Sequence, residues 1–217
     1  MLSGWRVFRK ILAGVSCFAL LLLLSIRPAG AGPETDPCGK FQGEEAVLGP
    51  GFRFPRTFFP DKDVRGEVSS SVCDYTKQGG RGTGVGYSSA NAPLTIYVLD
   101  GRQYAGAGEA EIKHELSQSL QAVFAARKAG IYRDVEPVDL LGKPTDSPIL
   151  LEMPLDGVKW FVTLVKVTDK SGAPYTSYTC VAASKGSLVK VRLSLREEGG
   201  NEPLFGYTLK KVSSIIR

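Results

Sequence analysis

Few side chains in this sequence are equipped for chemistry, and they are widely spaced. There is one histidine, His114, and four cysteines: Cys17 inside an N-terminal apolar run, and Cys38, Cys73 and Cys180 beyond it. A single histidine leaves nothing from which to assemble a Ser-His-Asp or Cys-His nucleophile, an H-E-x-x-H motif or a multi-histidine zinc site. Carboxylates come closer to a catalytic pattern. Asp134 with Glu136, Asp139 with Asp146, or Glu152 with Asp156 would supply a general acid and base if folding brought a pair into one cleft. The competing reading is solvated loop charge. No stretch carries the alternating Asp or Asn ligands of a calcium loop. No catalytic residue, metal ligand or cofactor is therefore assigned.

The cysteines lack a C-x-x-C spacing, which argues against thioredoxin-type redox work and structural zinc. In an exported chain, one disulfide with one thiol left over is the expectation. Cys38 with Cys73 would tie the N-terminal segment to the first strand, whereas Cys73 with Cys180 would tie it to the central strands. Three buried thiols remain the alternative.

Two further stretches invite a ligand reading. Gly79 to Gly86, GGRGTGVG, suggests a phosphate loop, but it lacks the G-K-[ST] ending, is out of register for G-x-G-x-x-G and runs into a strand. A hairpin loop is the better reading. Phe52, Phe54, Phe58 and Phe59, punctuated by Pro55 and Pro60, predict an irregular segment whose rings plug one edge of the core rather than an aromatic ligand platform.

The surface feature with most promise is basic. In the segment SLVKVRLSLRE, Val189, Val191, Leu193 and Leu195 alternate with Lys190, Arg192, Ser194 and Arg196, predicting one face toward a core and one toward water. With Lys166 from the preceding strands, Lys190, Arg192 and Arg196 would form a basic stripe able to meet an acidic ligand or an envelope protein. The plainer reading is a solvated face that blunts edge pairing.

These residues need elements to hold them. Val158 to Glu197 reads as three consecutive strands joined by short loops, the first apolar on both faces between Trp160 and Val167 and so covered on both sides. A helix is predicted over Glu109 to Ala129, with Ile112, Leu116, Leu120, Val123 and Phe124 in one stripe and Gly130 as its cap. His114 lies about 160° round from the centre of that stripe and should face solvent. Shorter strands are expected at Val68 to Tyr75, Val85 to Ser88, Leu94 to Leu99 and Pro148 to Pro154, with an extended Ile131 to Leu141 and a final helix over Leu204 to Ile216. The fold class is α+β: an antiparallel sheet with a long helix packed on one face and a C-terminal helix near it.

Residues 1–31 have the layout of a secretory signal. Arg6, Arg9 and Lys10 precede an uncharged run from Ile11 to Ile26, and Ala29-Gly30-Ala31 offers a cleavage site. The alternative is an N-terminal membrane anchor through residues 11–26, slightly shorter than the roughly 17 residues a span requires. Cys17 lies too deep in the apolar run for a lipoprotein signal. The full chain carries 27 Lys+Arg against 22 Asp+Glu, but Arg6, Arg9, Lys10 and Arg27 leave with the signal and no acidic residue does. The remaining 23 to 22 balance gives no electrostatic footprint for nucleic acid. Residues 32–51, rich in Gly, Pro and acidic side chains, predict a flexible leader, and residues 52–217 a single domain. The expected location is periplasmic or secreted, in a bacterial envelope.

TSYTCVAASKGSLVKVRLSL near the end, with the upstream hairpin VGYSSANAPLTIYVLDG, resembles the α+β domains of the PsbP/Mog1-like superfamily and of uncharacterised exported bacterial proteins. The resemblance implies a fold and carries no functional residue onto this chain. The function expected from the sequence is an exported binding or accessory protein. A small secreted hydrolase or transferase using carboxylates or the odd cysteine is the alternative.

Overall fold

The computed structural model describes residues 37–60, 69–78, 80–99, 108–196 and 202–217. The signal expected over residues 1–31 lies outside them. The frame is the predicted meander, formed by β9 (Val158–Thr168), β10 (Pro174–Ser184) and β11 (Ser187–Arg196). Its closing turn at Lys185-Gly186 has both residues at positive φ, 48° and 74°, as does Asp156-Gly157 before β9, at 48° and 79°. Two such residues in a two-residue loop match the twist of antiparallel strands. A longer turn joins β9 to β10. There Asp169 Oδ1 accepts hydrogen bonds from the Ser171 and Ala173 amides at 2.8 and 3.0 Å.

The remaining strands are β1 (Cys38–Lys40), β2 (Glu45–Leu48), β3 (Phe52–Pro55), β4 (Ser69–Asp74), β5 (Thr83–Ser88), β6 (Leu94–Leu99), β7 (Asp134–Pro137) and β8 (Leu151–Leu155). One nine-stranded antiparallel sheet runs β1-β4-β5-β6-β11-β10-β9-β7, with β8 also paired to β9, and β2-β3 form a separate hairpin. β7 and β8 share one side of β9, at Val165–Thr168 and Val158–Val162 respectively. The fold is thus mostly antiparallel sheet with two helices.

The helices are α1 (Glu109–Lys128) and α2 (Glu202–Ile216). Alternation along β9 sends Trp160, Val162 and Leu164 into a core with Leu209, Val212 and Ile216 of α2, and Phe161 into a second core with Ile112 and Leu116 of α1. The two helices therefore lie on opposite faces, which corrects the expectation of neighbouring helices and explains why β9 is apolar throughout. Trp160 is fully buried, and its indole N–H donates to Ser213 Oγ at 2.8 Å. Each such side chain contributes roughly 1.5–3 kcal/mol by burial.

Two expectations change near the N-terminus. The flexible leader expected over residues 32–51 includes β1 and β2, and Phe41, Ala46 and Leu48 are buried in the core on the α2 side. Phe52 and Phe54 belong to a strand rather than an irregular segment, and all four phenylalanines are core. Lys211 of α2 holds this segment by donating to the Phe58 carbonyl oxygen, with its ammonium 4.7 Å above the Phe58 ring.

Cys38 and Cys73 face each other across the β1–β4 pair and form a disulfide. Such bonds persist in oxidising, extracytoplasmic surroundings. Among the described residues, no helix is long and apolar enough to cross a membrane.

Candidate functional site

Most of the chemically equipped residues are engaged in holding the fold. Cys180, the thiol left over from the disulfide, is wholly buried, and burial pushes its pKa far up. A thiol that stays protonated is a poor nucleophile. Of the carboxylates, Asp134 pairs with Arg127 at 2.9 Å, Glu152 with Lys159 at 2.7 Å, and Asp139 Oδ1 accepts from the Leu141 and Lys143 amides, both at 2.9 Å. His114 is exposed and contacts Gln118 at 3.0 Å. Among the described residues, no group of three or more His, Cys, Asp or Glu could hold a metal ion.

The glycine-rich stretch is also structural. Gly82 has φ +79°, and a Cβ there would fall 2.1 Å from the Val98 carbonyl oxygen. Glycine is required by close approach of β6, and no helix N-terminus follows to receive a phosphate.

The basic stripe separates into different environments. Lys166 shares the parity of Trp160, Val162 and Leu164, so it belongs to the α2 face, opposite Glu136 of β7. Lys190, Arg192 and Arg196 belong to the α1 face. Lys190 is withdrawn from water: it donates to Glu115 Oε1 of α1 at 2.7 Å and to Ser119 Oγ at 3.4 Å, with its ammonium 4.7 Å from the centre of the Tyr97 ring. The face expected to be open to water thus carries α1 across part of it. Arg196, at the end of β11, helps hold Asp169 below the ordinary carboxylate range. Burial works against that shift and is outweighed by the Ser171 and Ala173 hydrogen bonds together with Arg196.

Arg192 remains. It is half-buried, and its side chain has no hydrogen bond or ion pair among the described residues. Its neighbours follow from register. Thr95 of β6 lies opposite it on one side and Thr179 of β10 on the other, and Thr163 of β9 lies opposite Thr179. Thr95, Arg192, Thr179 and Thr163 therefore form one row on the α1 face. Thr179 and Thr163 are buried, at 6% and 2% exposure, and Thr163 Oγ1 has no hydrogen-bond partner. Ser194 and Ser177 lie in the next row, with their hydroxyl oxygens 3.5 Å apart.

This polar row lies beside the apolar part of the face under α1, where Phe161, Val181, Leu188 and Leu99 pack on Ile112 and Leu116. A guanidinium flanked by hydroxyls can receive an oxyanion through its planar fork. Alternation identifies Arg192 from sequence, whereas the threonines join it only through strand register, Thr95 from 97 residues away.

No protein-family model matches the chain, and no curated protein matches it. Among solved structures, it is similar to PA94 from Pseudomonas aeruginosa, a protein of unknown function, at 9% identity and TM-score 0.37 over 77% of this chain and 95% of that one.

Proposed function

We propose that this chain is an exported binding protein of the bacterial cell envelope, acting through the Arg192 region of the α1 face and without catalysis. The observation that carries the reading is the half-buried, unpaired guanidinium of Arg192 on a hydroxyl-lined row. The buried Cys180 thiol and the paired carboxylates count against a thiol or carboxylate enzyme. Export is supported by the signal-like layout of residues 1–31 and by the Cys38–Cys73 disulfide.

The test is affinity capture from solubilised envelopes with chain beginning at Gly32, comparing the native sequence with Arg192→Glu. A partner retained by the first and lost by the second supports the proposal. Identical captured sets, or capture of nothing above a control matrix, reject it.

A further inference from the structure

We infer that Arg192, flanked by Thr95 and Thr179 and backed by Thr163, is a binding site for a single carboxylate group, a ligand class that rests on the binding reading above. Charge selects the class. Lys190 is neutralised by Glu115 at 2.7 Å, a pair with side-chain exposures of 19% and 9%. Arg196 lies four residues along the same strand, about 13 Å away, and acts on Asp169. Lys40 shares the Arg192 row through Ser71, Gly86 and Thr95, but stands four strand spacings away, roughly 19 Å. Of these basic residues, Arg192 alone is left for the ligand. A carboxylate matches it, whereas a phosphate approaching charge −2 would be only half compensated and would lie near the Glu115 carboxylate.

The guanidinium fork provides two parallel donors for the two oxygens of a carboxylate, and the flanking threonines stand close enough across the strands for their hydroxyls to serve the same group. Thr163 is the independent observation. The residue is 2% exposed, its hydroxyl is unpartnered, and it lies two strand spacings from Arg192 on the same row and face. A buried hydroxyl is ordinarily satisfied, so the row holds hydrogen-bonding capacity that the fold itself does not use.

The experiment is a titration of the labelled chain from Gly32 with acetate and with lactate, which adds a hydroxyl next to the carboxylate, following the Arg192 side-chain N–H and the Thr95 and Thr179 amide resonances. Chloride at matched ionic strength and inorganic phosphate are the controls. A saturable response to the carboxylates, absent with chloride and weaker with phosphate, is expected. Arg192→Gln should abolish it, and Arg192→Lys should weaken it about tenfold through loss of the fork. Native amide dispersion should confirm the fold of each variant. Equal responses to chloride or phosphate, a carboxylate response that survives Arg192→Gln, or no response at all would overturn the inference. If the carboxylates fail while envelope capture still depends on Arg192, the binding function stands and only the ligand class falls.

Discussion

Lys190 of β11 and Glu115 of α1 form an ion pair at 2.7 Å that joins the helix to the sheet across 75 residues of chain. Both side chains are largely withdrawn from water. Removing one partner strands the other charge, so Glu115→Ala should cost about 3 kcal/mol in urea unfolding. Replacing the pair together, Lys190→Met with Glu115→Leu, should restore stability to within about 1 kcal/mol of the native chain.

The Cys38–Cys73 bond closes a 35-residue separation. Changing both residues to serine should lower unfolding free energy by about 3–4 kcal/mol, chiefly by freeing the unfolded chain. The native chain under reducing conditions should reproduce the loss. Equal stability of both forms would mean that β1 is held by its other contacts.

Gly82 and Gly130 both have positive φ, +79° and +69°, but only Gly82 lacks room for a side chain. Gly82→Ala should cost about 2–4 kcal/mol, because strain and collision with the Val98 carbonyl add, and Gly130→Ala about 1 kcal/mol. Similar thermal shifts for the two would refute the close-approach account of the glycine loop.

Asp169 titrates below the ordinary carboxylate range in the folded chain. Its contribution is therefore present above the unfolded value of about 3.9 and is lost as pH falls through the lower folded value. Asp169→Asn retains the Oδ1 acceptor without the charge. The native chain should exceed the variant by up to about 1 kcal/mol at pH 7, with the gap closing as the carboxyl protonates. A gap independent of pH would remove the charge from the explanation.

The strands and helices that the sequence reveals are those with a strong local period or turn. Leu94–Leu99 coincides with β6, and the helix expected over Glu109 to Ala129 is α1 at Glu109–Lys128. β1 and β2 are hidden because three- and four-residue strands among glycines carry no period of their own and form against distant partners. Glu115 was a visible irregularity, an acid lying in the stripe beside Ile112 and Leu116. Its partner on β11 required the fold. The same limit applies to the Arg192 row: alternation identifies the face of Arg192, while the threonines beside it depend on the register of four strands. α2 was expected beside α1 because sequence pattern does not say which face of a sheet a terminal helix covers.

The central claim is that the face around Arg192 meets a partner in the envelope. A photoreactive residue in place of Thr95, which is half-buried and directly opposite Arg192, tests it most directly when the full chain is produced and irradiated in cells. A discrete adduct is expected, absent when the group replaces Ser214 on exposed α2 surface and lost when Arg192→Glu is added. An adduct indifferent to Arg192, or equal labelling from both positions, would contradict the account.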